Sequence, residues 1–447
     1  MVQRKLGGKH MNNQKKSFLE KVSDFVVDRL AGPMAKFGNI PAVAAVKDGL
    51  VAIVPIVIIG SLFLLIAMLG LPGTFSEDPL IPVLSSVSSK FLIFYNMTMN
   101  FLSLYAAIAI GMSYAKRFEI DSINAALLSI AAFFLININD LSNGMSVTNF
   151  AAGGLFAAII SSLISIRLYR FFLERKITIR MPDGVPANVT NAFVALIPFF
   201  VIFTLLWVVR SILNFDITSF LNTVLGPVFS GTDSIFVFIP RVLIGLLLWA
   251  VGMHGDNMIG PIFEPLKLQW VAENAKALSN GVDIKQLPHI WTTVVERITI
   301  WPAAAWGILF WMWKSKLKQA RTMAGIATPA AIFTIVEPVI FGLPIVLNPF
   351  FIIPFILSGT IAAIVTYSAF SLHLINRVFV ELPWATPPFI SGYVATGGDW
   401  KGVLMVVINF AIGVVVYYPF WKAYEKSEKQ KESIQENEQT ADSSVSV

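Results

Sequence analysis

Residues Ile332–Pro349 read IFTIVEPVIFGLPIVLNP, and Glu337 within them is the only formally charged residue between Thr322 and Asn376. A carboxylate in apolar surroundings costs several kcal/mol unless it is paired, hydrated or protonated. Pro338, Gly342, Pro344 and Pro349 interrupt the same stretch, so one straight spanning helix is not expected. Irregular backbone at membrane depth is tolerated where protein buries it or a wet cavity meets it. A lone acid on a broken apolar segment therefore reads as a ligand or proton site. The bland alternative is a carboxylate paired with an arginine from another span.

The rest of the chain supports a membrane setting. Of its 447 residues, 56% are hydrophobic and 13% charged, about half the charge of a soluble domain. Its first long apolar run begins after about forty residues, too late for a signal peptide. The net charge of +6 sits mostly between apolar runs, where it sets topology and meets anionic lipid rather than nucleic acid. With no cysteine and four scattered histidines at 10, 254, 289 and 373, no disulfide, thiolate metal site or metal-ligand spacing exists. There is no GxxxxGK[ST] and no GxGxxG, so no nucleotide or other cofactor site is expected, and any transferred phosphate must be delivered by another protein.

Residues 1–45 are mixed and basic, with Phe18, Val22, Phe25, Val26 and Leu30 at helical spacing, as in an interfacial amphipathic helix. Ten apolar segments of near-spanning length follow, at 48–71, 91–114, 121–138, 150–169, 191–212, 234–253, 289–313, 322–346, 347–370 and 402–421. They make an all-α polytopic membrane protein with about ten transmembrane helices and both termini in the cytoplasm. Ten simple crossings would, however, put the basic Lys314–Arg321 loop outside. One flanking segment that enters and leaves on the same side removes the conflict. The two broken stretches, after His254 and around Glu337, are the candidates, and such paired breaks resemble midplane binding sites in transporters. The loop Arg167–Asn191 is long and basic, which fits either a docking loop or a plain topology signal. The tail 425–447, rich in Lys, Glu, Gln and Ser, is expected to be disordered.

VGMHGDNMIGPIFEP brings His254, Asp256 and Asn257 together. An imidazole titrates near neutrality and hydrogen-bonds hydroxyls. A desolvated glutamate is a general base. His254 and Glu337 on facing broken segments would thus hold a polar hydroxyl and help deprotonate it. Asn257 suits sugar hydroxyls as donor and acceptor, though Asp256 and Asn257 equally suit helix capping. Trp384, in a proline-rich connector, offers a face for a pyranose or an interfacial anchor. Glu296 and Arg297 are adjacent and about 100° apart on a helix, so each should pair elsewhere. Asn137 and Asn139 are weaker candidates, and Arg210 and Arg241 should snorkel or pair.

GMHGDN, VEPVIFGLPIVLNP, MPDGVPANVTNAF and LPWATPPFISG resemble signature segments of the membrane component (IIC) of bacterial sugar phosphotransferase systems, in the lactose/cellobiose/diacetylchitobiose family. The resemblance covers roughly residues 15–424. It implies ten spanning helices with two re-entrant hairpins, here near 254–286 and 332–349. It also implies a homodimer, a dimer-interface half at 46–230 (spans one to five) and a substrate-binding half at 231–424. His254 and Glu337 would be catalytic, and His254, Asp256, Asn257, Glu337 and Trp384 would bind a β-linked disaccharide. Phosphate would come from a phosphocysteine on a separate IIB protein, fed by IIA, HPr and enzyme I. The residue before the acid, polar in the family's pattern, is Val336 here. An ion-coupled secondary sugar transporter with Glu337 as proton site, and a non-transporting scaffold, are the competing readings of the residues themselves.

Overall fold

A computed structural model describes residues 32–72, 78–138, 148–182, 184–342, 345, 346 and 348–445. The expected N-terminal amphipathic helix at 18–30 and Asn139 lie outside them. The described residues contain helices and no strand, as expected where water cannot satisfy backbone groups.

The first half comprises α1 (Gly32–Gly38), α2 (Pro41–Leu69), α3 (Ser88–Met99), α4 (Leu102–Lys116), α5 (Ser122–Asn137), α6 (Leu155–Glu174), α7 (Ala187–Trp207, continued by a π-helical turn Val208–Ile212) and α8 (Ile217–Thr232). The second comprises α9 (Ile235–Ala250), α10 (Gly255–Ser279), α11 (Thr293–Trp301), a π-helical turn Pro302–Trp306, α12 (Gly307–Lys314), α13 (Lys318–Ile332), α14 (Glu337–Gly342), α15 (Pro349–Ser371), α16 (Pro388–Val394) and α17 (Trp400–Val445). Six of the described helical stretches are long and apolar enough to cross a membrane: Pro41–Leu69, Ser88–Lys116, Ala152–Glu174, Val189–Ile212, Phe350–Ser371 and Trp400–Gln430. The shorter apolar helices are α5 and α9.

In the first half α2 packs on α3 and α4; α4, α5 and α6 pack on one another, and α7 on α5 and α6. In the second, α15 packs between α9 and α17, and α12 on α17. Small residues and buried polar groups hold these helices close, as in lipid generally. A side-chain carbon at Gly307 would meet the Gly413 backbone at 2.5 Å, so α12 and α17 touch backbone to backbone. Nearby, Tyr417 donates to Ala304 O at 2.8 Å and Trp311 Nε1 to Val414 O at 2.8 Å. Asn409, fully buried in α17, donates to Ile298 O of α11 and to Thr366 of α15. Between the halves, α10 lies along α2.

Side-chain contacts fix which segments share an end of the bundle. Glu425 of α17 accepts from Ser315 Oγ at 2.7 Å and Lys316 N at 3.0 Å, so the basic loop lies at the tail end. Phe351, at the start of α15, stacks on Trp421 and packs on the tilted ring of Tyr424 at that same end. The described residues of 318–348 therefore leave the tail end and return to it. At the opposite end His373 meets Lys285 O, and Asp399 accepts from Asn376 N. Residues 372–399 leave that end, reach inward as far as Trp384, and return in α16. The two re-entrant tips meet where Thr334 Oγ1 donates to Trp384 O at 2.9 Å.

Two expectations are corrected here. No hairpin occupies 254–286: after a sharp turn at Gly252 (φ +87°), α10 is one helix of 25 residues. Its Pro261 and Pro265 do not break it, because neighbouring groups can take up the carbonyls that a proline frees inside a bundle. The second re-entrant segment is instead the proline-rich connector at 372–399. The tail is helical to Val445 rather than disordered, since Glu, Lys, Gln and Ala are strong helix formers even without a packed face.

At the end opposite the tail, His289 bridges Asp233 Oδ2 (3.2 Å) and Glu273 Oε2 (2.6 Å), while Asp233 also accepts from Ile290 N and Trp291 N. Burial alone would depress the imidazole pKa. The hydrogen bonds to the two carboxylates outweigh it, and the pKa is raised above the usual value.

Candidate functional site

A cavity of about 380 Å³ opens where α10, α11 and the two re-entrant tips converge. That volume is within the range of small-molecule sites, ~300–1,000 Å³. His254, Asp256, Asn257, Glu337 and Trp384 all line it. The structure thus brings together all five residues singled out from the sequence, from three separate chain segments.

His254 is the N-cap of α10, and its Nδ1 accepts from Asn257 N at 3.2 Å. An accepting nitrogen carries no proton, so the neutral ring holds its proton on Nε2. Nε2 faces Glu337 Oε1 at 3.6 Å. That gap is too long for a direct hydrogen bond. The ring also packs on Trp249, centroid to centroid at 4.2 Å. Both side chains of the pair stay open, 39% exposed for His254 and 44% for Glu337.

Glu337 owes its position to the helix break before it. α13 ends at Ile332; Thr334 N then bonds Ala331 O and Ile335 N bonds Ala330 O, the paired closure of a left-handed helix end. The chain restarts in α14 with Glu337 as first residue. Opposite, Trp384 is 68% exposed and lines the cavity. Arg297 holds the Trp384 segment by donating to Leu382 O at 3.2 Å and Ser391 Oγ at 3.4 Å. Asn257 is exposed and lines the cavity, with its backbone N–H given to the cap.

Asp256 differs from its neighbours. Its Oδ1 is 2.9 Å from Arg241 Nη2, and its Oδ2 accepts from Trp249 Nε1 at 3.5 Å. It joins a buried chain of charges in the cavity wall. Glu296 Oε2 lies 2.9 Å from both Arg241 and Lys267, and Lys267 lies 2.6 Å from Glu264. Glu296 Oε1 also accepts from Trp291 Nε1 at 2.7 Å. Glu296 and Arg241 thus pair across helices, as their sequence positions predicted. Arg297 instead bonds a backbone carbonyl and a serine, facing the buried Glu381 at a distance. Lys267 and Glu264 were missed. Three residues apart on α10, they could have been recognised as a polar stripe among GPIFEPLKLQ. Arg210 meets Asp216 at 3.4 Å, and Asn137 accepts from Thr218, both away from the cavity. Among the described residues no cluster of three His, Cys, Asp or Glu could hold a metal ion.

Residues 47–359 match the family described as Phosphotransferase system, EIIC. The chain is 31% identical over 447 residues to the Lichenan permease IIC component of Bacillus subtilis (strain 168), covering 94% of this chain and 98% of that one. It is 31% identical to the PTS system cellobiose-specific EIIC component of Geobacillus stearothermophilus, over 91% of this chain and 94% of the relative. The crystal structure of the transporter ChbC, the IIC component from the N,N'-diacetylchitobiose-specific phosphotransferase system, superposes with a TM-score of 0.82 at 28% identity. It covers 92% of this chain and 99% of that one. The chain therefore belongs to the phosphotransferase system EIIC family, as a sugar permease that forms the multi-pass membrane component of such a system.

Proposed function

We propose that the protein binds a β-linked disaccharide in the cavity between the re-entrant tips and carries it inward, where a separate phosphorylated IIB protein phosphorylates it. The facing of His254 Nε2 and Glu337 Oε1 across an open cavity carries this reading. The relatives are named for lichenan and cellobiose, and the solved neighbour for N,N'-diacetylchitobiose. Their shared chemistry is a β-linked sugar with a primary hydroxyl.

In this reading His254 Nε2–H donates to the hydroxyl oxygen, and Glu337 accepts its proton. The oxygen attacks phosphorus on the IIB phosphocysteine. The O–P bond forms, the S–P bond breaks, and the thiolate leaves with the electron pair. Asn257 binds a ring hydroxyl and the Trp384 indole covers the second sugar's apolar face. Asp256, bound to Arg241, holds the start of α10 and hence His254.

The tail end is the cytoplasmic one. Exposed Lys314, Lys316, Lys318 and Arg321 share it with Glu425, which satisfies the positive-inside rule. Ten crossings then run through α2, α3–α4, α5, α6, α7, α9, α10, α11–α12, α15 and α17, with both termini inside. α10 takes the crossing expected from the apolar run at 322–346. Residues 46–230 form a dimer-interface half and 231–424 a substrate half, a division supported by the packing of each set mainly on itself.

The test is phosphorylation of cellobiose and N,N'-diacetylchitobiose by membranes supplied with the soluble phosphotransfer proteins. Glu337→Gln is expected to bind sugar but transfer no phosphate at a measurable rate. Normal sugar phosphate production by that variant refutes the assignment. Uptake of unmodified sugar that collapses with a proton uncoupler would favour the ion-coupled alternative.

A further inference from the structure

Thr334 adopts φ +63°. Five non-glycine residues among those described have positive φ, and Thr334 is the only β-branched one. It stands at the left-handed position that closes α13, where glycine or asparagine is usual. A β-branched residue there is a true outlier, and such strain persists only where the surroundings enforce it, commonly at functional sites.

Its surroundings explain why threonine is kept. Thr334 is 8% exposed, and its hydroxyl donates to Trp384 O at 2.9 Å. Three residues later comes Glu337. One hydroxyl therefore ties the segment bearing the acid to the segment bearing the indole, and glycine could not supply it. Each partner is braced from behind: Trp306 Nε1 donates to Ala331 O at 2.9 Å, and Arg297 donates to Leu382 O. The Thr334 hydroxyl joins the two tips directly, and both Thr334 and Trp384 border the cavity.

We propose that Thr334 is a positioning residue that fixes the separation of Glu337 and Trp384, and so sets the length of saccharide the site accepts. This rests on the functional reading above. With the clasp closed, the indole and the acid are held at one spacing, suited to two sugar rings. With it open, the Trp384 segment is free to move from the acid, and longer chains are admitted.

The test uses the purified full chain in detergent, with cellobiose and cellotriose titrated by calorimetry and melting followed in parallel. Thr334→Ser should keep both affinities within about twofold, since the hydroxyl remains. Thr334→Val keeps the branch but loses the donor; cellobiose should weaken by about tenfold, while cellotriose weakens less. Thr334→Gly removes the strain and the donor together. It should melt at or above the wild-type temperature yet show the same loss of discrimination. That opposite movement of stability and selectivity is what a purely structural threonine would not give. Wild-type selectivity in both Val and Gly variants, or a Gly variant that loses stability and both affinities in parallel, overturns the proposal. A wild type that binds neither sugar overturns the functional reading, and this inference with it. Sugar phosphate production with altered chain-length preference in Thr334→Gly would show the reading intact and the clasp at work.

Discussion

Two sets of charges share one cavity wall, and they are bound in opposite ways. Arg241, Lys267 and Glu296 are nearly sealed, and each lies within 2.6–2.9 Å of an opposite charge. His254 and Glu337 are over a third exposed and 3.6 Å apart. Charges sealed and paired this closely are out of a substrate's reach, so they hold helices in register. The open pair keeps hydrogen-bonding capacity turned to the cavity. Asp256 stands between the two sets: its oxygens meet Arg241 and Trp249, yet its side chain is 35% exposed on the cavity. The lesson is that membership of a polar cluster does not make a residue chemical; spare valence does.

The comparison is broken most forcefully through the sealed set. Lys267→Met leaves Glu264 and Glu296 short of a partner in the wall. Breaking a buried pair on one side costs about 3–5 kcal/mol, so the variant should melt far lower or fail to accumulate. Melting of purified protein in detergent measures this, and a wild-type melt would show that these charges do not support the fold.

A smaller effect separates the two duties of His254. His254→Ala removes the α10 cap, worth ~1 kcal/mol, whereas Asn is among the best caps. His254→Asn should therefore restore the melting temperature lost in His254→Ala, while transfer stays well below wild type in both. Full recovery of transfer by Asn would reduce the histidine to a cap and an amide-like donor.

The smallest effect concerns the third charged cluster, at the far end. His289 has a raised pKa, so its contribution to stability is complete below about pH 6.5 and is lost as pH rises through the folded value. Melting temperature should decline with pH above that point, and His289→Gln should flatten the decline. An unchanged slope would assign it to other groups.

Much of this architecture was legible in one dimension. Long apolar runs mark spanning helices because lipid offers the backbone no partner, and most predicted spans match helices to within a few residues. Glu337 was found because an isolated acid in oil demands a reason. The hairpin after His254 was misplaced because proline was given the weight it has in water. In the bundle α10 runs through Pro261 and Pro265. Nothing in the composition of 372–399 states that it turns inward. That follows from Arg297 and Thr334, which bind its carbonyls from remote segments. Thr334 was invisible for the same reason: strain belongs to a backbone angle, and a residue name does not carry it.

The central claim is tested most directly by one paired measurement, Glu337→Gln against Glu296→Gln, scored for melting temperature and for sugar phosphate formed per sugar bound. The account predicts that Glu337→Gln melts like wild type and binds sugar but loses transfer by about 10²–10⁴-fold, the usual range for a general base. Glu296→Gln should melt well below wild type, with residual folded protein still able to transfer. The reverse pattern, with transfer surviving in Glu337→Gln and stability surviving in Glu296→Gln, would contradict it.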